Sequence, residues 1–189
     1  MLTDKNRKGL LPETVPVNAD PEREATLVAQ LNRGDGDVAM IALQLGQLCS
    51  RTGRQEFAVP HLERVANTLA DPEGRAYLRL TCGQLMEQSG DYEAARSHYE
   101  RGLAEPVESA GTRYFLHNNL GFCLNELAHH KEAESHCREA IEIEPERHNA
   151  YKNLAIALEY LNDWPSAAYH FAAAAHLAPT DRRALMHLN

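Results

Sequence analysis

This sequence is short of aromatic residues and of positive charge. Only 6% of its 189 residues are aromatic, and 19 lysines and arginines stand against 27 aspartates and glutamates, a formal net charge of −8 at pH 7. Binding to duplex nucleic acid needs clustered lysine and arginine side chains that neutralise phosphates. The deficit of basic residues therefore argues against nucleic acid as a main partner.

Long apolar segments are also missing. No run approaches the roughly 18 apolar residues that a membrane-spanning helix needs. The first 22 residues, MLTDKNRKGLLPETVPVNADPE, contain basic side chains but no apolar core of signal-peptide length. We therefore expect a cytoplasmic protein with no membrane partner.

Motifs of catalysis and metal binding are absent as well. The sequence contains no G-x-S-x-G, Walker-type or G-x-G-x-x-G motif, so we expect neither an enzyme nor a cofactor. The cysteines are widely spaced and form no C-x-x-C pair, which predicts small buried thiols; they are Cys49, Cys82, Cys123 and Cys137. His130 and His136 are six residues apart and fall on different faces of a helix. We therefore expect solvent-exposed histidines and no metal site.

What the sequence does contain is a small residue that recurs at long intervals. Gly46, Gly83, Gly121 and Ala155 are separated by 37, 38 and 34 residues. A second set lies twelve residues further along with the same intervals, and it consists of Ala58, Ala95, Ala133 and Ala167. Two markers with identical intervals indicate one structural unit copied four times. A period of about 20 to 50 residues is typical of a stacked array.

Each copy has the pattern of a helical hairpin. In the third and fourth copies apolar residues recur at i, i+3, i+4 and i+7 on both sides of a short polar break. This pattern predicts two amphipathic helices joined by a turn. The small residues let the two helices approach closely, and Pro145 and Pro179 end these copies.

Glycine and aspartate mark the helix ends. Gly53 and Gly90 stand where a first helix must stop, which suits the left-handed conformation. Asp91 and Asp163 are placed to accept hydrogen bonds from backbone amides at the start of a second helix. Two Asp–Pro pairs predict further helices that begin near residues 21 and 72.

Leu120-Gly121, Ala133 and Pro145 in the third copy, and their counterparts in the fourth, follow the pattern W-x2-L-G-x2-Y, A-x3-F and P. In this respect the chain resembles the tetratricopeptide repeat family, whose helix–turn–helix units have about 34 residues. The resemblance implies an all-α fold, a right-handed superhelical array of about four repeats. We expect an extended segment at 1–20, a short N-terminal helix, repeats at about 39–72, 76–109, 114–147 and 148–181, and a capping helix at 182–189.

The first two copies depart from this pattern. Leu62 replaces the aromatic residue in the first copy, and Arg79 occupies a bulky position in the second. Extra residues follow both copies, at 73–75 and around 107–113. They predict either lengthened helix ends or a loop that alters the packing angle between units.

The resemblance also implies a binding site, because the first helices of such repeats line a concave groove that binds peptides or protein segments. Helical geometry projects exposed aromatic and polar side chains into this groove. The candidate site residues are Tyr77, Gln84, Phe115, Asn118, Phe122, Asn125, Asn149, Lys152 and Tyr160. Exposed apolar groups mark interaction sites, and amides can pair with a peptide backbone, so we expect a largely uncharged segment with apolar anchors. The alternative is that the extra residues rotate the helices and bury the aromatic side chains between units.

One subfamily is not expected here. Co-chaperone arrays that bind the acidic C-terminus of heat-shock chaperones place lysine, arginine and asparagine at fixed positions. The corresponding positions of this chain hold Leu43, Gln47, Phe115 and Asn119. The resemblance therefore does not extend to a two-carboxylate clamp.

Two function classes follow. The first is an adaptor or chaperone-like scaffold that binds a protein partner in its groove. The alternative is a structural protomer that self-associates through the ends of the array, for example as a homodimer sealed by Leu185 and Leu188. A further hypothesis is that the segment 1–20 occupies the groove.

Overall fold

The structure is a computed structural model that describes residues 20–34 and 36–178. The described part of the chain contains nine α-helices and no strand, which confirms the all-α prediction. The helices are α1 (Pro21–Arg33), α2 (Val38–Thr52), α3 (Gln55–Thr68), α4 (Pro72–Gln88), α5 (Tyr92–Leu103), α6 (Ala110–Glu126), α7 (His130–Ile143), α8 (His148–Tyr160) and α9 (Trp164–Leu177).

The helices after α1 form four stacked hairpins. The hairpins, called units one to four, are α2–α3, α4–α5, α6–α7 and α8–α9. The second helix of each unit also packs on the first helix of the next, and the first helices α2, α4, α6 and α8 contact one another in that order. Helix α1 packs on α2 and α3 at the start of the array. This arrangement is the predicted solenoid of helix–turn–helix repeats.

The recurring small residues lie where two helices of a unit meet. A Cβ atom added at Gly83 would lie 2.3 Å from the ring of Tyr99, and one at Gly121 would lie 2.5 Å from the sulfur of Cys137. Contacts this short do not occur between real atoms, so each position requires glycine unless its neighbour moves. At Gly46 the nearest atom, on Leu62, would be 3.2 Å away, which is a milder restriction.

The extra residues lengthen first helices. Helices α4 and α6 have 17 residues each, whereas α8 has 13. Residues 73–75 lie inside α4, where the Arg75 guanidinium pairs with Glu105 at 2.7 Å and Glu73 accepts hydrogen bonds from the backbone amides of Glu108 and Ser109. The added turn of α4 therefore holds the connection between α5 and α6.

The predicted helix ends are also present. Side chains of five aspartates accept hydrogen bonds from backbone amides at helix starts; they are Asp20, Asp37, Asp71, Asp91 and Asp163. Gly53 and Gly90 have φ angles of 70° and 80°. In units three and four the equivalent turns use Ala128 and Asn162, at φ 62° and 64°. Units one and two thus use glycine where units three and four place an L-residue in the left-handed region.

All four cysteines are buried and free, as the spacing predicts. Burial raises the pKa of the Cys49 thiol to about 11 and that of Cys82 to about 12. Thiols with such pKa values are protonated and unreactive near neutral pH.

Several expectations concern parts of the chain outside the described residues. They are the extended segment before Asp20, the closing Pro179 and the capping helix with Leu185 and Leu188. None of the described helices combines the length and the apolar character needed to cross a membrane.

Candidate functional site

Two cavities open where the first helices of neighbouring units lie side by side, on the face that we call the groove. The amide cavity, of about 350 Å³, lies between α2 and α4. It is lined by Gly46, Gln47, Ser50, Arg51, Thr81, Gln84, Leu85 and Gln88. The acidic cavity, of about 680 Å³, lies between α6 and α8 and extends to the start of α9. It is lined by Asn125, Glu126, Ile156, Glu159, Tyr160, Asn162 and Trp164.

Six of the eight residues that line the amide cavity have polar side chains, and one of these, Arg51, is charged. The Ser50 hydroxyl donates to the side-chain oxygen of Gln88 at 2.7 Å and joins the two helices. Gln84, a predicted site residue, lies half-buried in the wall, while Gln47 and Arg51 are exposed. Neutral amide groups of this kind can donate and accept hydrogen bonds along a peptide backbone.

Exposed apolar side chains occur on the two first helices that form this cavity. Met40 on α2 is 52% exposed, and the predicted site residue Tyr77 on α4 is 47% exposed. Both positions belong to helix faces that sequence geometry projects into the groove. They provide apolar surface beside the amides.

The aromatic side chains of α6 are less available than expected. Phe122 is half-buried and packs edge-on against Tyr92 at a ring distance of 5.9 Å. Phe115 is also half-buried, contacts Tyr114 at 5.3 Å, and has the Arg147 guanidinium over its ring at 4.8 Å. The alternative of burial between units therefore holds in part for these two residues. Both rings are therefore only partly accessible to a ligand.

Asn118 and Asn125 are the main correction to the predicted site. Both are buried, at 7% and 9% exposure. The Asn125 amide donates to the backbone oxygen of Asn153 at 2.8 Å, and the Asn153 amide donates to the side-chain oxygen of Asn118 at 3.2 Å. A buried amide needs such partners, and the close approach of α6 and α8 supplies them. These asparagines join units three and four and do not belong to the exposed groups of the groove.

The predicted residues of unit four remain accessible to different extents. Asn149 is exposed, Lys152 is half-buried, and their side chains approach to 3.5 Å. Tyr160 is 65% exposed and stacks on His130 with a ring distance of 4.3 Å and an angle of 3°. The stack covers one face of the Tyr160 ring and fixes its orientation at the edge of the acidic cavity.

The acidic cavity includes residues absent from the predicted site. Trp164, 58% exposed, follows the capping Asp163 at the start of α9, and Asn162 lies in the turn before it. Glu126, at the end of α6, is exposed. Trp164 belongs to a second helix, so a projection restricted to first helices omits it. Its place directly after the polar turn residues Asn162 and Asp163 is the sequence signal that could have indicated its exposure.

Negative charge extends from this cavity towards α4. Burial raises the pKa of Glu87, a hydrogen bond from the Tyr99 hydroxyl opposes that rise, and the charge of Glu126 adds to it. The same Glu126 charge contributes, after burial, to a raised pKa of Tyr92. Glu126 therefore acts on groups of unit two as well as on the acidic cavity.

Two histidines of unit three differ from the expectation of solvent exposure, whereas His129 is exposed as expected. His117 on α6 and His136 on α7 are half-buried, with their Nδ1 atoms 3.1 Å apart. Burial, followed by the neighbouring His136, lowers the pKa of His117 to about 4, and burial also lowers the pKa of His136. His117 occupies a bulky position of the repeat pattern, which places it between the helices of unit three. In the described residues no group of three or more histidine, cysteine or acidic side chains could hold a metal ion.

Comparison with known families agrees with this architecture. Residues 116–147 match the family model described as Tetratricopeptide repeat. This range covers most of α6 and all of α7, the third unit. No curated protein sequence matches the chain.

Solved structures share the fold. The MamA structure from Desulfovibrio magneticus RS-1 is 23% identical, covers 81% of this chain and 82% of its own, and superposes with a TM-score of 0.67. YrrB, described as a TPR protein with an unusual peptide-binding site, is 18% identical over 88% of this chain and 83% of its own, also at 0.67. The second TPR domain of human RPAP3, determined by NMR with the HSP70 peptide SGPTIEEVD, is 24% identical over 62% and 95%, at 0.57. At these identities the likeness establishes the fold.

Proposed function

We propose that this chain, which has the fold of tetratricopeptide repeat proteins, is a protein-interaction module whose groove binds an extended peptide or protein segment. The observation that carries the proposal is the pair of cavities on one face, each between the first helices of neighbouring units. Peptide binding by structural relatives supports it, since RPAP3 was solved with an HSP70 peptide and YrrB is described as having a peptide-binding site.

The chemistry of the amide cavity fits an extended backbone. A peptide that enters a groove loses hydrogen bonds to water, and its N–H and C=O groups then need partners in the protein. Gln84 and Gln88 can supply both kinds of partner from one helix, and Tyr77 adds an exposed ring on the same helix. In this proposal Gln84 and Gln88 of α4 hydrogen-bond the peptide backbone, which is the role that the sequence predicts for Asn118 and Asn125.

An acidic chaperone tail is a poor fit for this groove. The positions that bind such a tail in co-chaperones hold Leu43, Gln47, Phe115 and Asn119 here. Glu126 and Glu159 in the acidic cavity would repel a carboxylate. We therefore propose an adaptor or scaffold role for a segment of another class.

The test is selection of bound peptides from a displayed library of random twelve-residue peptides, followed by fluorescence anisotropy titration of the selected peptides. Replacement of Tyr77 and Gln84 together by alanine should weaken binding about tenfold, because about 1.4 kcal/mol is lost with a hydrogen bond and a ring contact. Tyr169→Ala removes an exposed ring from α9, outside both cavities, and is the matched control. Equal affinity of all variants, or failure to select any peptide, would contradict the proposal.

A structural protomer that self-associates through the array ends is the alternative. Light scattering over a range of protein concentrations distinguishes the two. A stable dimer whose formation blocks the selected peptides would favour the alternative, and a monomer that binds them would favour the interaction module.

A further inference from the structure

The start of α1 lies beside the middle and the end of α2. A third cavity, of about 460 Å³, is lined by residues of both helices, among them Asp20 and Gln44. In the first turn of α1 the Glu24 carboxylate pairs with the guanidinium of Arg54, which follows the end of α2. The nineteen residues before Asp20 lie outside the described part of the chain, and they join α1 at this place.

An exposed stripe on α2 leads from this place into the amide cavity. Gln44, Gln47 and Arg51 are exposed and follow one another at intervals of three and four residues, so they share one face of the helix. Gln44 lines the cavity that Asp20 also lines, whereas Gln47 and Arg51 line the amide cavity. The chain that precedes α1 therefore begins at the edge of the groove.

The nineteen residues before Asp20 carry their charges in separate places. A basic group at 5–8 precedes an apolar stretch that contains one acidic residue, Glu13. Pro12 and Pro16 exclude a continuous helix through this stretch. In an extended chain alternate residues point to the same side. One side then presents Arg7, Leu11, Glu13, Val15 and Val17.

The groove presents matching groups in the same order along its length. Arg51 is the charged residue that lines the amide cavity, between α2 and α4. Phe122 on α6 is half-buried, so part of its ring is accessible. Glu126, at the end of α6, is exposed and lines the acidic cavity. A positive group, an apolar group and a negative group thus follow one another from unit one to unit three.

We propose that residues 5–17 of this chain occupy its own groove, an inference that rests on the proposed function of that groove. Glu13 pairs with Arg51 in the amide cavity, and Arg7 pairs with Glu126 at the edge of the acidic cavity. Leu11 lies between them and covers the accessible part of Phe122. The segment is then an internal ligand that an external peptide has to displace.

The length of the chain permits both ion pairs at once. The seven residues that join Glu13 to the start of α1 reach up to about 23 Å, which exceeds the roughly 10 Å of α2 between Gln44 and Arg51. Arg7 lies six residues before Glu13, or about 20 Å in an extended chain. Because α4 lies between α2 and α6 and contacts both, Arg51 and Glu126 are two helix spacings apart, about 16–20 Å.

The covalent connection favours the same chain over a second copy. A short linker holds a tethered segment at an effective concentration in the millimolar range. A segment from another molecule reaches that concentration only when the protein itself is millimolar. The occupant that we propose is therefore intramolecular, and its binding should not depend on protein concentration.

Disulfide trapping in the full chain tests this placement. Val15→Cys combined with Gln47→Cys brings two thiols together in the proposed register and leaves Glu13 and Arg51 unchanged. The matched control combines Val15→Cys with Arg64→Cys, which places the second thiol at an exposed position of α3 in the same unit. The four native cysteines are buried and should form no competing disulfide. With oxidised glutathione, we expect the first pair to close within the monomer at least about tenfold faster than the control.

Charge reversal tests the ion pair in the same assay. Arg51→Glu, added to the Val15→Cys and Gln47→Cys variant, should slow closure about threefold to fivefold, in the range of a solvent-accessible ion pair. Glu13→Arg, added to that protein, should restore most of the rate, because the two charges are then exchanged. Equal rates for the trapping pair and its control, disulfides formed only between two chains, or no restoration would each overturn the inference. Disulfides between chains would identify a second copy as the occupant.

Peptide affinity provides the final measurement. Glu13→Arg alone should release the groove and raise the affinity of selected peptides about threefold, since apparent affinity scales with the fraction of open groove. An unchanged affinity would overturn the inference. If peptides bind and the two trapping rates are equal, the inference fails and the interaction module stands. If trapping succeeds and neither the parent nor Glu13→Arg selects a peptide, the placement of the segment stands and the interaction module fails.

Discussion

The first two units and the last two units place different chemistry on the same framework. Between α2 and α4 the groove is lined by amides and hydroxyls, whereas between α6 and α8 it is lined by carboxylates and aromatic rings. The buried contacts differ too, because Gly83 faces a full tyrosine ring while Gly121 faces a cysteine. The repeat therefore sets the positions of the side chains along the groove, whereas their chemical type differs from unit to unit.

The largest expected effect is a loss of stability when the small residue between two packed helices is enlarged, and this loss should be greater in unit two than in unit one. Gly83→Ala places a methyl group against the buried ring of Tyr99, whose hydroxyl is bonded to Glu87 at 2.8 Å, and should lower the free energy of unfolding by about 3 kcal/mol. Gly46→Ala meets the ends of the Leu62 and Thr81 side chains at 3.2 and 3.3 Å, and the better helix propensity of alanine should offset most of the cost, leaving a change below about 1 kcal/mol. Urea denaturation of the two variants measures the difference. Equal losses would show that the two contacts do not differ as described.

A smaller loss of stability is expected when a buried asparagine of the groove face is replaced, and almost none when an exposed asparagine is replaced. Asn125→Ala removes the hydrogen bond to the Asn153 backbone and should lower the free energy of unfolding by about 1.5 kcal/mol. Asn149→Ala, the same change at an exposed position of unit four, should stay within about 0.5 kcal/mol. Thermal or urea unfolding compares them. An unaffected Asn125→Ala variant with reduced peptide affinity would return Asn125 to the binding site.

The smallest effect is acid sensitivity in unit three. The pKa of His117 is lowered to about 4 and that of His136 is also lowered, so between pH 6.5 and 4 the unfolded chain binds more protons than the folded one. Stability should therefore fall as the pH falls through this window. The His117→Gln variant should show a shallower loss, and His176→Gln, which changes an exposed histidine of α9, should keep the slope of the parent. Urea unfolding at several pH values between 4 and 7 measures the slopes. Identical slopes in all three proteins would contradict the description of the pair.

Much of the fold was predictable because its signals are local. Asp91 and Asp163 cap helices with their own side chains, and Gly83 marks a contact between the two helices of one unit. The extra residues at 73–75 left two alternatives open, and the lengthened α4 resolves them. Whether these residues extend a helix or form a loop depends on their contacts with α5 and α6. The periodicity of one helix contains no information about such contacts.

The candidate site was less predictable because exposure depends on distances between units. Tyr77, Gln84 and Tyr160 lie on the accessible part of the projected face, whereas Asn118 and Asn125 on the same face are buried against α8. Helical projection gives the direction in which a side chain leaves the axis of its helix. It does not give the distance between the first helices of neighbouring units. That distance decides whether an asparagine amide contacts water or an amide of the neighbouring helix.

By itself the sequence determined that this chain is an array of helical hairpins and which residues mark helix ends and close contacts within a hairpin. Intervals between small residues, capping aspartates and glycines carry that information because they act within one unit. The tertiary structure alone decided which groove residues stay open, that His117 and His136 form a half-buried pair, and that Trp164 joins Glu126 and Glu159 around one cavity. These residues lie on different helices, and only the packing angles between units bring their side chains together.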